Sequence, residues 1–121
     1  MSKRYSQRRR AHWEDAQVAP TDCVFLTRMS ERLRGLLFCK PDAKVRVLVP
    51  CAAVHTIGMT HEIDIAFLDG EGTVLAAYEK VGKRRHLRCA GARMTLERFA
   101  SERPWFVAGE RVSLESVSLR G

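Results

Sequence analysis

The chain of 121 residues has a formal net charge of +7, and 45% of its residues are hydrophobic and 29% charged. This length and composition are typical of one folded domain and exclude a wholly disordered chain. No apolar run reaches the ~20 residues that span a bilayer, and no apolar core follows the basic N-terminus as in a secretory signal. We therefore expect a soluble, cytoplasmic protein with no membrane association, whose four cysteines stay reduced.

The N-terminal segment shows neither helical nor strand periodicity, and Pro20 lies close to its end. It carries five basic and two acidic side chains, so it supplies +3 of the net charge. These features predict a flexible basic tail over residues 1–21, followed by a single domain over residues 22–121.

The domain begins with a short strand, a short helix and a second strand. The apolar run Cys23–Leu26 predicts the first strand. Ser30 is a suitable N-cap for a helix, and leucines follow it with helical spacing at Leu33, Leu36 and Leu37. After a Pro-Asp turn, the alternation in KVRVLVP predicts a strand that ends at Pro50.

The most regular alternation lies in the middle of the chain. CAAVHTIGM is predicted to be an irregular connection, and EIDIAFL is the clearest strand pattern. Asp69–Gly72 predicts a hairpin turn, after which TVLAAYEKV returns as the partner strand.

A basic loop, a helix and a last strand complete the predicted domain. GKRRHLRCAGA is the loop, RMTLERFASER has helical spacing at Leu96 and Phe99, and RVSLESVSL alternates as a strand. Together these elements predict an α+β fold: a small, β-rich domain with a mostly antiparallel sheet or partly closed barrel and two short helices.

Six segments arrive in an order that resembles the domain of unknown function 192 family of bacteria and archaea. They are ERLRGLLF, VRVLVP, VHTIGM, EIDIAFLD, GTVLAAY and MTLERFA, and the similarity covers residues 23–116. Because His55–Met59 stands where many members have Trp-Met-Lys-Asn-Thr, the chain is similar to a His-Thr-x-Gly-Met branch. The resemblance implies a β-rich α+β domain with MTLERFA as a late helix, and it implies no particular activity. The positions to which it points are Arg34, Gly35, His55, Thr56, Met59, Asp64 and Asp69.

The first candidate site is the loop that precedes the EIDIAFL strand. His55, Thr56 and Met59 lie on this loop, and polar groups on a loop held by rigid strands are typical of binding sites. Asp64 is a carboxylate within an apolar strand, so it needs a partner if it is buried, and Arg34 or His55 could supply one. A His55–Asp64 pair would suit acid–base chemistry, whereas a buried structural network is the favoured interpretation of Asp64.

Two cysteines and two histidines have the residue types of a zinc site. Cys51 and His55 are spaced C-x3-H, and His86 and Cys89 are spaced H-x2-C. Neither spacing is that of a standard knuckle, and independent buried cysteines are the simpler interpretation. A Cys51 nucleophile activated by His55 lacks a nucleophile elbow around it. We therefore predict no metal site and no cofactor.

The second candidate site is the basic cluster of Lys83, Arg84, Arg85 and Arg88, which supplies +4 of the net charge. Arginine matches phosphate geometry, so the cluster could bind an anionic ligand or a nucleic-acid backbone. A solvated loop is the simpler alternative, because no aromatic residues interleave with the cluster to stack on bases.

These patterns favour a non-enzymatic binding or accessory domain with its site near His55–Met59. The alternatives are a small metal-independent enzyme that uses His55 and Asp64, and a nucleic-acid or anion binder that uses Lys83–Arg88. The sequence does not decide between an enzyme and a binding domain, and it specifies neither a partner nor an oligomeric state.

Overall fold

The structure, a computed structural model, describes residues 8–12, 21–26, 36 and 40–116. These residues contain nine strands and no helix. The strands are β1 (Arg8–His12), β2 (Thr21–Leu26), β3 (Val45–Leu48), β4 (Ala53–His55), β5 (Ile63–Leu68), β6 (Val74–Val81), β7 (His86–Arg88), β8 (Met94–Phe99) and β9 (Ser113–Ser116).

Seven of the strands form one mixed sheet in the order β6-β5-β8-β3-β2-β1-β9, and β4 and β7 form a separate two-stranded ribbon. Only β2 and β3 run parallel; the other pairings in the described sheet are antiparallel. The end strands β6 and β9 form no ladder with each other, although one bridge joins Thr73 to Arg111 near their N-terminal ends. The described sheet is therefore open.

The central strands β5 and β8 are buried on both faces of the sheet. Alternate residues of β5 face opposite sides, so Ala66 and Leu68 enter one apolar cluster while Ile63, Ile65 and Phe67 enter another. The first cluster includes Trp105 and Phe106, and the second includes Leu36, Met59 and Val81. A strand buried on both faces has almost no exposed position, and all six residues of β5 are buried.

The ribbon covers part of the second cluster. Val54 of β4 and Leu87 of β7 are half-buried and pack against that cluster. The neighbouring residues of each strand point away from it and are exposed. The ribbon thus has one face on the core and one face in solvent.

The prediction of an α+β fold with two short helices is wrong for the described residues. RMTLERFASER was expected to be a helix, but Met94–Phe99 is strand β8 between β3 and β5. Its alternate residues Thr95, Glu97 and Phe99 share one face, and all three are buried. Because polar residues occupy buried positions on both faces, the strand lacks the usual alternation of apolar and polar residues.

Other predictions have mixed outcomes. The expected strands at KVRVLVP, EIDIAFL and TVLAAYEKV are confirmed as β3, β5 and β6. Most of the helix expected after Ser30 falls outside the described residues. Within the N-terminal segment, which was predicted to be a flexible tail, Arg8–His12 forms β1 between β2 and β9.

Candidate functional site

The ribbon brings the two candidate sites of the sequence onto one surface. In the antiparallel pairing of β4 with β7, Ala53 lies opposite Arg88 and His55 lies opposite His86. All four residues are exposed, and we call their shared surface the ribbon face. The loop that contains His55 and the basic cluster that contains Arg88 are therefore neighbours in space, although about 30 residues separate them along the chain.

The ribbon face contains a shallow depression of about 320 Å³, a volume at the lower end of the range for small-molecule sites. Its walls are the residues of both ribbon strands: Ala53, Val54, His55, His86, Leu87 and Arg88. The rings of His55 and His86 lie 5.9 Å apart, centroid to centroid, and are tilted by 42°. This lining combines two imidazoles, one guanidinium and apolar side chains, and it contains no carboxylate.

The backbone sets which nitrogen of His55 points outward as a donor. The N–H of Ile57 donates a hydrogen bond of 3.2 Å to Nδ1 of His55. Nδ1 must therefore carry a lone pair, so the proton of the neutral ring resides on Nε2. A neutral His55 in this arrangement offers an N–H group to a ligand rather than a lone pair to a metal ion.

Thr56 fastens the His55 loop to the basic turn. Its hydroxyl donates to the carbonyl of Gly82 at 2.6 Å and accepts from the N–H of Arg85 at 2.8 Å. Its own N–H donates to the carbonyl of Arg85 at 2.9 Å. Thr56 is only 1% exposed, so its role lies in holding the two segments together and not in touching a ligand.

The basic turn, which we define as Lys83, Arg84 and Arg85, adjoins the ribbon face. All three side chains are exposed, and Arg84 adopts a left-handed backbone conformation with φ of 58°. Within the described residues, neither these three cations nor Arg88 form an ion pair. No carboxylate of the described residues therefore neutralises their positive charge.

Met59 and Asp64, the other predicted site residues in the described chain, lie in the interior. Met59 packs in the second apolar cluster, and Asp64 is fully buried. The carboxylate of Asp64 accepts from the N–H of Lys80 at 2.8 Å and from Nε of Arg98 at 2.7 Å. The structure does not join Asp64 to His55, and Arg34 falls outside the described residues.

Arg98 is the partner of Asp64 that the sequence did not reveal. Its Nη1 and Nη2 atoms donate one hydrogen bond each, to the carbonyls of Pro104 and Arg103, and its guanidinium lies 4.5 Å from the ring centroid of Trp105. Arg98 lies directly opposite Asp64 in the β5–β8 register. The misassigned helix hid this pairing, because it removed Arg98 from the sheet.

Glu97 is a second buried carboxyl that the sequence did not reveal. It is 4% exposed, and its burial raises its pKa to about 7, although Arg46 on the neighbouring strand acts to lower it. Arg46 itself forms a two-point ion pair with Asp42, with 2.8 Å between Nη2 and Oδ2. No described residue donates a hydrogen bond to the Glu97 carboxyl, so nothing offsets the burial apart from the charge of Arg46, and both protonation states are populated near neutral pH.

The candidate zinc ligands Cys51, His55, His86 and Cys89 are not brought together as a group of three or more. No group of three or more potential ligands converges anywhere in the described residues. Cys51 directs its thiol to the carbonyl of Ala53, and Cys89 packs against the second apolar cluster. Cys51 and Cys89 are free thiols. The described residues also contain no helix long and apolar enough to cross a membrane.

Comparisons with known proteins show the fold alone. No protein-family model and no curated protein match the chain. A protein of unknown function from Novosphingobium aromaticivorans has a similar structure, with a TM-score of 0.69, 15% identity and coverage of 86% of this chain and 83% of that one. A "putative transcription regulator" from Sinorhizobium meliloti is similar over 88% of this chain and 92% of its own, with a TM-score of 0.70 and 14% identity.

Proposed function

We propose that the chain is a non-enzymatic binding domain that holds an anionic ligand on the ribbon face. The observation that carries this proposal is the meeting of His55, His86 and Arg88 around one depression without a carboxylate. Guanidinium and imidazole N–H groups form strong hydrogen bonds with oxyanions, and a guanidinium can bind two oxygens at once. A phosphate or carboxylate group fits this set of donors.

The position of Asp64 argues against the enzymatic alternative. An acid–base pair requires both groups within hydrogen-bond reach of each other or of a substrate. The oxygens of Asp64 are engaged by Lys80 and Arg98, and the residue is fully buried. His55 is therefore left without the carboxylate that would have made it part of a catalytic pair.

The tautomer of His55 argues for an anion rather than a metal ion. A metal at Nε2 requires a lone pair there, but the hydrogen bond from Ile57 favours a proton on Nε2. The exposed cations Arg84, Arg85 and Arg88 around the ribbon would also repel a metal ion. Both features favour a negatively charged ligand.

The ordered motifs further support the proposal that the chain is a member of the domain of unknown function 192 family. Five of the six motif segments, VRVLVP, VHTIGM, EIDIAFLD, GTVLAAY and MTLERFA, lie wholly within the described residues, although MTLERFA forms strand β8 and not the late helix that the resemblance implies. The VHTIGM segment begins in β4 and continues into the loop after it. Its first two residues, Val54 and His55, line one side of the depression. The family motif and the proposed site thus coincide.

Titration with inorganic phosphate and pyrophosphate tests the anion site. We expect both to shift the amide and imidazole NMR signals of the ribbon, with pyrophosphate binding more tightly because it carries more charge. Arg88→Gln should weaken pyrophosphate binding by at least about tenfold, because a hydrogen bond to a charged group contributes ~1.5–3 kcal/mol. His55→Gln and His86→Gln should each weaken it in the same direction.

Matched controls lie away from the ribbon. Arg103→Gln and His61→Gln remove the same chemical groups from exposed positions elsewhere, and neither should change the affinity. Unchanged signals from the ribbon on addition of pyrophosphate, or equal losses in the control variants, would count against an anion site on the ribbon face.

A further inference from the structure

We infer that the anion recognised by the ribbon is polymeric, namely the phosphate backbone of a nucleic acid that runs across the ribbon face and the basic turn. This inference rests on the proposed function, since it extends the same anion site. It adds Lys83, Arg84 and Arg85 as binding residues and names the class of ligand that would use them.

The first step of the argument is the extent of the positive charge. Of the four cations between Lys83 and Arg88, only Arg88 lines the depression. A single phosphate in the depression would leave the three cations of the basic turn without a counter-charge. The six residues from Lys83 to Arg88 span at most ~17 Å when extended. Successive phosphates along one strand of a duplex are ~3.4 Å apart, so several phosphates fit within this length. A repeating polyanion can therefore contact the depression and the turn together.

The second step is the contrast with the paired cations of the fold. Arg46 pairs with Asp42, Arg98 with Asp64, and Lys80 with Glu102. No such carboxylate accompanies the basic turn or Arg88 within the described residues. A nucleic acid releases its bound counterions when cationic side chains of the protein replace them, and this release drives binding. Cations that are not already paired with a carboxylate are best suited to this exchange.

The third step is the rigidity of the turn. Three hydrogen bonds join Thr56 to the backbone of Gly82 and Arg85, at the two sides of the turn. The cations are thus presented from a fixed backbone next to the ribbon face, which lowers the entropy that binding would cost. The face carries no tryptophan or tyrosine, so we expect contacts to phosphates to dominate and sequence preference to be weak.

The test is the salt dependence of binding to a mixed-sequence DNA of about 12 nucleotides, single-stranded or duplex, followed by fluorescence anisotropy. Four contacting cations predict that log K falls with log salt with a slope of about −3 for the single strand. The triple variant Lys83→Gln/Arg84→Gln/Arg85→Gln should reduce this slope to about −1 and weaken binding at least tenfold at low salt. The same variant should weaken pyrophosphate binding less than Arg88→Gln does, because its three residues lie outside the depression and act on pyrophosphate only through their nearby charge.

The triple variant Arg93→Gln/Arg103→Gln/Arg111→Gln is the control, because it removes the same charge from exposed positions elsewhere. Pyrophosphate binding with no binding of either DNA would overturn the polymeric inference and leave the proposed function in place. Equal losses of DNA binding in the two triple variants would also overturn it. Tighter binding to phosphatidylserine vesicles than to DNA, together with loss of vesicle binding in the basic-turn variant, would overturn the inference and identify the ligand of this surface as a lipid membrane. Failure of pyrophosphate to bind the ribbon would instead reject the proposed function itself.

Discussion

At the scale of single residues, Asp64 shows how a charge is accommodated in a fully buried strand. Both of its oxygens accept hydrogen bonds, and Arg98 neutralises the charge. Each terminal nitrogen of Arg98 also donates one hydrogen bond, to the carbonyls of Pro104 and Arg103, and its flat face packs on Trp105. Such added hydrogen bonds help to offset the cost of burying an ion pair, and removal of one partner leaves an uncompensated charge.

Asp64→Asn should therefore lower the free energy of unfolding by about 3 kcal/mol or more. The matched change Asp42→Asn alters a partly exposed pair and should cost less than about 1 kcal/mol. Urea denaturation of the two variants, followed by circular dichroism, measures both values. Equal costs would show that the Asp64–Arg98 pair contributes no more than the surface pair.

The sequence indicated that Asp64 needs a partner but not which residue supplies it. A carboxylate among Ile63, Ile65 and Phe67 is conspicuous in the sequence alone. The partner is fixed by the register of β5 on β8, which places Arg98 opposite Asp64. A register between strands about 30 residues apart depends on the whole sheet, so local patterns do not contain it.

At the scale of elements, the alternation of apolar and other residues in the sequence identified those strands in which apolar side chains fill the buried positions. EIDIAFL and KVRVLVP were predicted correctly because apolar residues occupy every second position, whereas β8 was missed because polar residues occupy its buried positions. The ribbon was missed for a different reason. Its strands have three residues each, too few for a period to appear, and they are defined only by pairing with each other.

Thr56 should control the stability of the ribbon more than that of the domain. Thr56→Val removes the hydroxyl and leaves the Arg85 N–H without its partner, which costs ~1–3 kcal/mol. We expect the amides of β4 and β7 to exchange with deuterium about tenfold faster or more, while the amides of β5 change less. Thr56→Ser keeps the hydroxyl and should exchange more slowly than Thr56→Val. An equal increase in the amide exchange rates of β5 and of the ribbon would show that the ribbon does not unfold independently of the sheet.

At the scale of the whole molecule, the paired and unpaired charges lie in different places. The described ion pairs are a buried one at Asp64, a partly buried one at Asp42 and an exposed one at Lys80. The basic turn, which has no ion-pair partner among the described residues, lies at the ribbon, on the opposite side of β5 from the Asp64 carboxylate. The net charge follows from the sequence alone, whereas the position of the basic cluster beside His55 follows from the pairing of β4 with β7.

The buried carboxyl of Glu97 makes the stability of the molecule depend on pH. Its pKa rises from an ordinary 4.5 to about 7 because burial disfavours the charged form. The folded state therefore holds a proton that the unfolded state releases, so the contribution of Glu97 to stability is most favourable below pH 4.5 and is lost as the pH rises to about 7. The loss across this window is on the order of 3 kcal/mol.

Glu97→Gln should abolish this loss, because glutamine does not ionise. We expect the variant to gain stability relative to the unaltered protein as the pH rises from 4.5 to about 7, and the difference to stay constant above it. Glu102→Gln changes an exposed carboxyl and should leave the pH profile unaltered. Urea denaturation of the three proteins at closely spaced pH values measures the profiles. A parallel profile for Glu97→Gln and the unaltered protein would show that Glu97 ionises in the folded protein as readily as in the unfolded chain, and that its burial does not raise its pKa.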